Sequence, residues 1–319
     1  MKTRSGARPG DIKKVAVIGA GLMGHGIALE FAAYGRTVSI HDRSGEVLVE
    51  AMRRARVGLL ALVRSGRISG DGVEVSLGRI RPSGELAEAV QDADLVIEAV
   101  SEELELKKTI FRQIDATAPA RAVIVSNTST FLPSALASAT KRPTQVAVVH
   151  YFNPPHLLPG VEVVKGPETS DSTVELLLDL YRSIGKKPAL VRKEIQGFIG
   201  NRLQMAMFRE ALSLVQNGYA TAEQIDEVVR TSFGRRLSVA GPFELRELIG
   251  LDLALAVGEQ TIPTLANDRV LPPVLVDMVA SGDLGVKTGK GFYEWTPDTV
   301  ESWRERMADA LLDMARRDR

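Results

Sequence analysis

The stretch "KVAVIGAGLMGHG", residues 14–26, decides the fold. Its first half is a short, continuously apolar run, as a strand buried on both faces requires. It passes directly into Gly19-x-Gly21-x-x-Gly24, and a helix-like segment, 22–34, follows at once. Each glycine has a physical reason. Gly19 permits a tight turn, Gly21 lets the backbone approach a pyrophosphate, and Gly24 lets the helix pack close to the strand. Leu22 and Met23 complete the loop, and the helix N-terminus adds free N–H groups and a partial positive charge. Alone, the three glycines fit a purely structural turn equally well. The next apolar run, "TVSIHD" (37–42), tips the balance, because Asp42 closes it eighteen residues beyond Gly24. A carboxylate there accepts the ribose hydroxyls of a dinucleotide and repels a 2′-phosphate, so NAD is expected over NADP. Arg43, beside it, argues the other way.

The same alternation continues. Strand candidates at 94–100, 122–127, 145–150, 161–165 and 187–191 are interspersed with helix-like segments at 44–65, 103–117 and 172–184. This order predicts an α/β fold, a doubly wound and largely parallel sheet with helices on both faces. From about 195 the strand runs stop. Residues 200–218 have helical spacing and end in Asn-Gly, and Thr221 with Gln224 forms a capping box for a helix over 222–231. The expected organisation is a flexible arm at 1–12, a nucleotide-binding domain over 13–195 and an all-α domain over 196–319.

Composition narrows the chemistry. Forty basic residues balance forty acidic ones, which leaves no net field to attract nucleic acid. There is no cysteine, hence no disulfide, thiolate metal site or cysteine nucleophile. The four histidines, His25, His41, His150 and His156, show no HExxH-type spacing, so no metal is expected. The polar start carries no signal-peptide core, and no apolar run is long enough for a membrane span. A cytoplasmic globular protein acting on a small molecule is expected.

The candidate chemistry lies in "VVHYFNPPHLLPGVEVV", residues 148–164. His150 closes one apolar run at the carboxyl edge of the expected sheet, where ligands bind. Pro154, Pro155 and Pro159 forbid a helix, so the segment can reverse and bring 161–165 back beside the strand it left. Glu162 then faces His150. A carboxylate on one ring nitrogen fixes the tautomer, frees the other for a substrate hydroxyl and stabilises the imidazolium formed in turnover. The alternative is a satisfied core histidine and an edge-strand glutamate. "SNTST" (126–130) ends another buried run and opens on the same crevice. Ser126, Asn127, Thr128 and Ser129 suit a carbonyl or a nicotinamide ribose; equally, they could cap a helix over "PSALAS". Asn201, early in the first helix of the second domain, is a donor able to reach across.

Together, "GAGLMGHGIA", "DLVIEAVSEELELKK", "SNTST", "HYFNP", "VEVVKG", "GFIGNR", "GPFEL" and "KTGKGFYEW" occur in the order seen in L-3-hydroxyacyl-CoA dehydrogenases. The chain resembles that family over about 13–295. The resemblance implies a Rossmann-type domain followed by an all-α C-terminal dimerisation domain, and a homodimer formed through the latter. It implies that His150 is the catalytic acid/base and Glu162 its orienting partner, with Ser129 and Asn201 at the substrate and the cofactor end. It also places Glu102 and Lys107 among the NAD contacts. The loop "NPPHLLPG", however, replaces the Val-Pro-Val-Met-Lys-like segment of acyl-CoA enzymes and resembles the L-gulonate 3-dehydrogenase branch, as does the tail at 299–317.

The substrate handle follows from one further cluster. Arg53, Arg54, Arg56, Arg64 and Arg67 lie between Ala51 and Gly70 with no acid among them. In the acyl-CoA enzymes this hairpin meets the nucleotide end of CoA, and forked guanidinium donors suit phosphates. The alternative is a solvated basic helix face. The expected activity is reversible oxidation of an L-3-hydroxyacyl-CoA, as in fatty acid metabolism, with a free 3-hydroxy acid such as L-gulonate as the alternative. A non-catalytic NAD-binding protein would have no use for the His150, Glu162, Ser129 and Asn201 set. A 6-phosphogluconate or 3-hydroxyisobutyrate-type enzyme would use a lysine base on its helical domain.

Overall fold

The computed structural model describes residues 8–317, which fall into two compact units. The first runs to Ile199 and regains the chain from Arg306 onward; the second is Gly200–Glu305. Of the expected helical domain at 196–319, the turns from Arg306 onward belong to the first unit.

The first unit is built on one eight-stranded sheet. Its strands are β1 (Lys14–Ile18), β2 (Thr37–His41), β3 (Ile80–Ser83), β4 (Leu95–Glu98), β5 (Val123–Ser126), β6 (Val146–Tyr151), β7 (Gly160–Val164) and β8 (Lys187–Val191). They lie in the order β3-β2-β1-β4-β5-β6-β7-β8, and every pairing is parallel except that of β6 with β7. The helices are α1 (Gly24–Ala33), α2 (Gly45–Arg64), α3 (Gly72–Leu77), α4 (Leu86–Val90), α5 (Leu104–Thr117), α6 (Pro133–Ala137) and α7 (Asp171–Ser183). Alternate Val and Ile side chains of the central strands feed two cores. One lies beneath α1, α2 and α7, the other beneath α4, α5 and α6. This is the Rossmann-type arrangement. Strand β3 escaped the reading of apolar runs because "IRPS" is polar; as an edge strand it tolerates Pro82.

Part of the expected arm at 1–12 is ordered. Pro9–Asp11 form one 3-10 turn and Ile12 is buried, while residues 1–7 lie outside the described residues.

The second unit holds α8 (Gly200–Gln216), α9 (Ala222–Thr231), α10 (Phe233–Leu237), α11 (Pro242–Ile249), α12 (Leu251–Thr261) and α13 (Pro273–Ala280). Thr221 and Gln224 form the expected capping box at α9. Among the described residues of this unit only Leu212 and Pro272 are buried. Helix α14 (Pro297–Arg317) starts in the second unit and ends in the first, where Leu312 and Ala315 are buried. No helix among the described residues is long and apolar enough to cross a membrane.

Candidate active site

At the end of β1 the backbone turns at Gly19, whose φ is +100°. A Cβ there would stand 2.5 Å from the Ala99 carbonyl oxygen, and one on Gly24 would stand 1.8 Å from that of Gly19. Both positions therefore demand glycine. On Gly21 a Cβ would meet no atom within 4 Å, so its smallness serves approach from outside rather than internal packing. The loop and α1 together form a cradle that fits a dinucleotide pyrophosphate. Asp42 sits beside it at the end of β2. Its carboxylate accepts the Ala20 N–H at 3.1 Å and the Ser44 N–H at 3.1 Å, which fixes its orientation next to the loop. Arg43 is exposed, as is Leu22.

Further along the carboxyl edge, "SNTST" is gathered by one carboxylate. Glu102 accepts the N–H groups of Ser129 (3.0 Å) and Thr130 (3.2 Å) and the hydroxyls of Thr128 and Thr130. Partial burial opposes its charge, yet the bonds from Thr128 and Thr130 and the nearby Lys107 ammonium hold the Glu102 carboxyl below its ordinary range. Lys107 is itself buried; it reaches Glu102 at 3.1 Å and the fully buried Glu98 at 2.7 Å. It stands behind Glu102. Ser126 donates to Glu98 at 2.5 Å, and the Asn127 side chain accepts the Tyr151 N–H at 3.0 Å, tying β5 to β6. These hydroxyls do not cap the next helix: the residue before α6 is Leu132, with no capping side chain.

The antiparallel β6–β7 pair sets His150 directly opposite Glu162. His150 Nδ1 lies 2.7 Å from Glu162 Oε2, and both residues are only 4% exposed. The second glutamate oxygen accepts the Ile199 N–H at 2.8 Å. A carboxylate so held keeps the ring hydrogen on Nδ1 and leaves Nε2 as the nitrogen available to a ligand. The rings of Phe152 and Phe198 lie 4.9 and 5.5 Å from the imidazole. Phe198 adopts φ +50°, rare for a residue with a side chain, directly after Gly197 at φ +77°. This left-handed turn puts the Phe198 ring against His150 and brings Ile199 N within reach of Glu162. "GFIG" signalled it, but only as part of a motif, and neither Phe198 nor Ile199 was singled out. Asn201 lies in the first turn of α8, in the second unit.

The basic hairpin is less free than its composition suggested. Arg53 and Arg54 both bond to Glu50, at 2.7 Å each, and Arg56 bonds to Glu74. These acids flank the 51–70 stretch that holds the arginines.

Two family models match the chain. "3-Hydroxyacyl-CoA dehydrogenase, NAD binding domain" covers residues 14–195, and "3-hydroxyacyl-CoA dehydrogenase, C-terminal domain" covers 197–295. The glycine cradle and Asp42 fit the NAD of the first. A 5-formyl-3-hydroxy-2-methylpyridine 4-carboxylate 5-dehydrogenase of Mesorhizobium japonicum is 32% identical over 96% of this chain and 98% of its own. The crystal structure of an enzyme of that activity, described as an NAD+-dependent dismutase, superposes with a TM-score of 0.91 at 31% identity, covering 96% of this chain and 98% of its own. The (S)-3-hydroxybutyryl-CoA dehydrogenase of Ralstonia eutropha superposes with a TM-score of 0.74 at 34% identity, covering 89% of this chain and 99% of its own.

Proposed function

This chain belongs to the 3-hydroxyacyl-CoA dehydrogenase family, and from that premise we propose that it oxidises a small, free carboxylic acid rather than a CoA thioester. The substrate would carry a hydroxyl, or a hydrated aldehyde, at the reacting carbon. His150 takes the hydroxyl proton through Nε2 while Glu162 stabilises the imidazolium; in reverse His150 returns it. NAD, when bound, accepts the hydride. Asp42 holds its ribose, with Gly19, Gly21 and Gly24 at the pyrophosphate and Glu102, backed by Lys107, near the other end. Ser129 and Asn201 are assigned to the substrate.

The observation that carries the choice of handle is the seat of the last helix. Asp309 pairs with Arg64 at 3.3 Å, and Arg316 donates to the Arg64 carbonyl at 3.1 Å, so the tail lies on the end of α2. The hairpin arginines are already paired with Glu50 and Glu74. Both features leave less for a CoA nucleotide to bind. The Mesorhizobium relative, whose named substrate is a free carboxylate, matches over 96% of this chain. The acyl-CoA reading is favoured by the match to nearly the whole Ralstonia enzyme. NADH formation with a pyridine carboxylate aldehyde, L-carnitine, L-gulonate and 3-hydroxybutyryl-CoA decides between them; preference for the thioester would overturn our assignment.

We further propose a homodimer through the second unit. The reading is supported by three strongly exposed apolar side chains of this unit, Val239, Phe243 and Leu248, at 87%, 84% and 80%. Light scattering should give twice the 34.5 kDa chain mass; a monomer at micromolar concentration would refute it.

A further inference from the structure

The sheet face behind His150 carries a second charged assembly. Tyr151 points to that face, opposite His150, and Lys186 lies over its ring at 5.4 Å from the centroid. Lys186, only 4% exposed, sits immediately before β8. Its ammonium pairs with the buried Glu30 of α1 at 2.6 Å. It also donates to the carbonyls of Pro155 and, at 2.9 Å, of Leu158. Arg67 donates to the His156 carbonyl at 3.2 Å, and the Lys187 N–H to that of Pro159 at 2.8 Å. Four carbonyls of the 153–159 connection are thus taken by donors outside it. A glycine admits the connection: a Cβ on Gly26 of α1 would stand 2.5 Å from Pro155.

A buried ion pair contributes little stability over apolar side chains of the same volume, so its presence here calls for another reason. The connection supplies one. It joins the strand carrying His150 to the strand carrying Glu162, and a one-residue slip in their pairing would turn Glu162 to the opposite face. We propose that Lys186, held by Glu30, is a positioning residue that fastens this connection and thereby fixes the His150–Glu162 geometry. Because Glu30 belongs to α1, the same pair ties the dyad to the helix that receives the cofactor. The inference rests on the reading of His150 and Glu162 as the acid–base pair.

The test compares Lys186→Met, the double variant Glu30→Gln/Lys186→Met, Glu162→Gln, and Lys186→Met combined with Glu162→Gln. The Glu30→Gln/Lys186→Met variant removes both charges and so guards against a fold lost to an unpaired Glu30. In it kcat should fall between about tenfold and a hundredfold, the cost of a misplacement on the order of 1 Å, with KM and NAD affinity within about twofold of wild type. In the Glu162→Gln background the Lys186→Met change should add less than about twofold, because both act through one contact. A wild-type kcat in Glu30→Gln/Lys186→Met, or a fully multiplicative loss in the Glu162→Gln background, would overturn the inference. His150→Gln separates the two levels. If it is fully active, the acid–base reading fails and this inference with it; if it is inactive while Glu30→Gln/Lys186→Met keeps its kcat, only the positioning role is lost.

Discussion

The carboxyl edge of the sheet and the α2–α3 hairpin both collect charged side chains, and they use them in opposite ways. At the sheet edge the charges are buried: Glu98 with Lys107, Glu30 with Lys186, and His150 with Glu162 all have side chains no more than 5% exposed. At the hairpin Arg53, Arg54 and Arg56 pair with Glu50 and Glu74 in water, every partner at least 39% exposed. A charge taken from water must be paid back by partners that hold it in one geometry. An exposed pair needs no such geometry and gives little. Position is thus specified at the edge and only sampled at the hairpin, and substitutions should tell the two regions apart.

The largest effect is expected at His150. His150→Gln should lower kcat by about 10²- to 10⁴-fold, the usual share of a positioned proton-transfer group, while NAD affinity measured by fluorescence titration stays unchanged. Near-normal turnover would remove His150 from the chemistry. Next comes Lys107→Met, which leaves Glu98 charged and unpaired inside the protein. It should cost about 3–5 kcal/mol of unfolding free energy in urea, whereas Arg53→Ala, at an exposed pair, should leave the urea midpoint nearly unchanged. Equal costs would erase the contrast between the regions.

These two regions also differ in how far the sequence disclosed them. The His150–Glu162 contact was legible because prolines forbade a helix, the apolar runs on either side read as strands, and their antiparallel return was the simplest closure. The glycine cradle was legible because a turn, an open approach and a close packing, at Gly19, Gly21 and Gly24, fall at fixed spacing. Glu30 and Lys186 were not, since each looks like an ordinary polar position within a helix or before a strand. Their pairing depends on the meeting of α1 with the 153–159 connection, separated widely in the chain. The pairing of the hairpin arginines is hidden for a simpler reason: Glu50 and Glu74 are one helical turn and one helix away. The left-handed backbone of Phe198 is marked only by its place in "GFIG", because that conformation is imposed by what surrounds it.

His156 sits where the two regions meet, between Gly26 and Gly58, and gives an effect of intermediate size. Burial, with His25, Lys186 and Arg67 nearby, lowers its pKa from 6.5 to about 4. Between those values the unfolded chain holds a proton that the folded chain does not, so stability is complete above about pH 6.5 and declines as pH falls toward 4. The loss should reach about 3 kcal/mol at the acid end. His156→Leu should flatten this segment of the urea stability profile relative to wild type. A parallel profile for the two proteins would mean that His156 is protonated in the folded state, contrary to its burial.

The smallest effect is expected at the hairpin, and it bears most directly on the substrate. Hydrogen bonds from Arg53 and Arg54 hold the Glu50 carboxyl down to about 2, so these arginines already have an anion. A CoA phosphate would have to displace it, whereas a small free acid would never meet it. For a free-acid substrate, replacing Arg53, Arg54 and Arg56 together with Ala should therefore leave both kcat and KM within about twofold. If the substrate carries CoA, KM should rise while kcat holds, since such contacts are equally strong in the ground and transition states. That rise should also shrink with added salt, because exposed charges are screened over about 10 Å at 0.1 M. A salt-sensitive increase in KM would thus restore the thioester, and it would show that the tail on α2 leaves the hairpin open to a nucleotide.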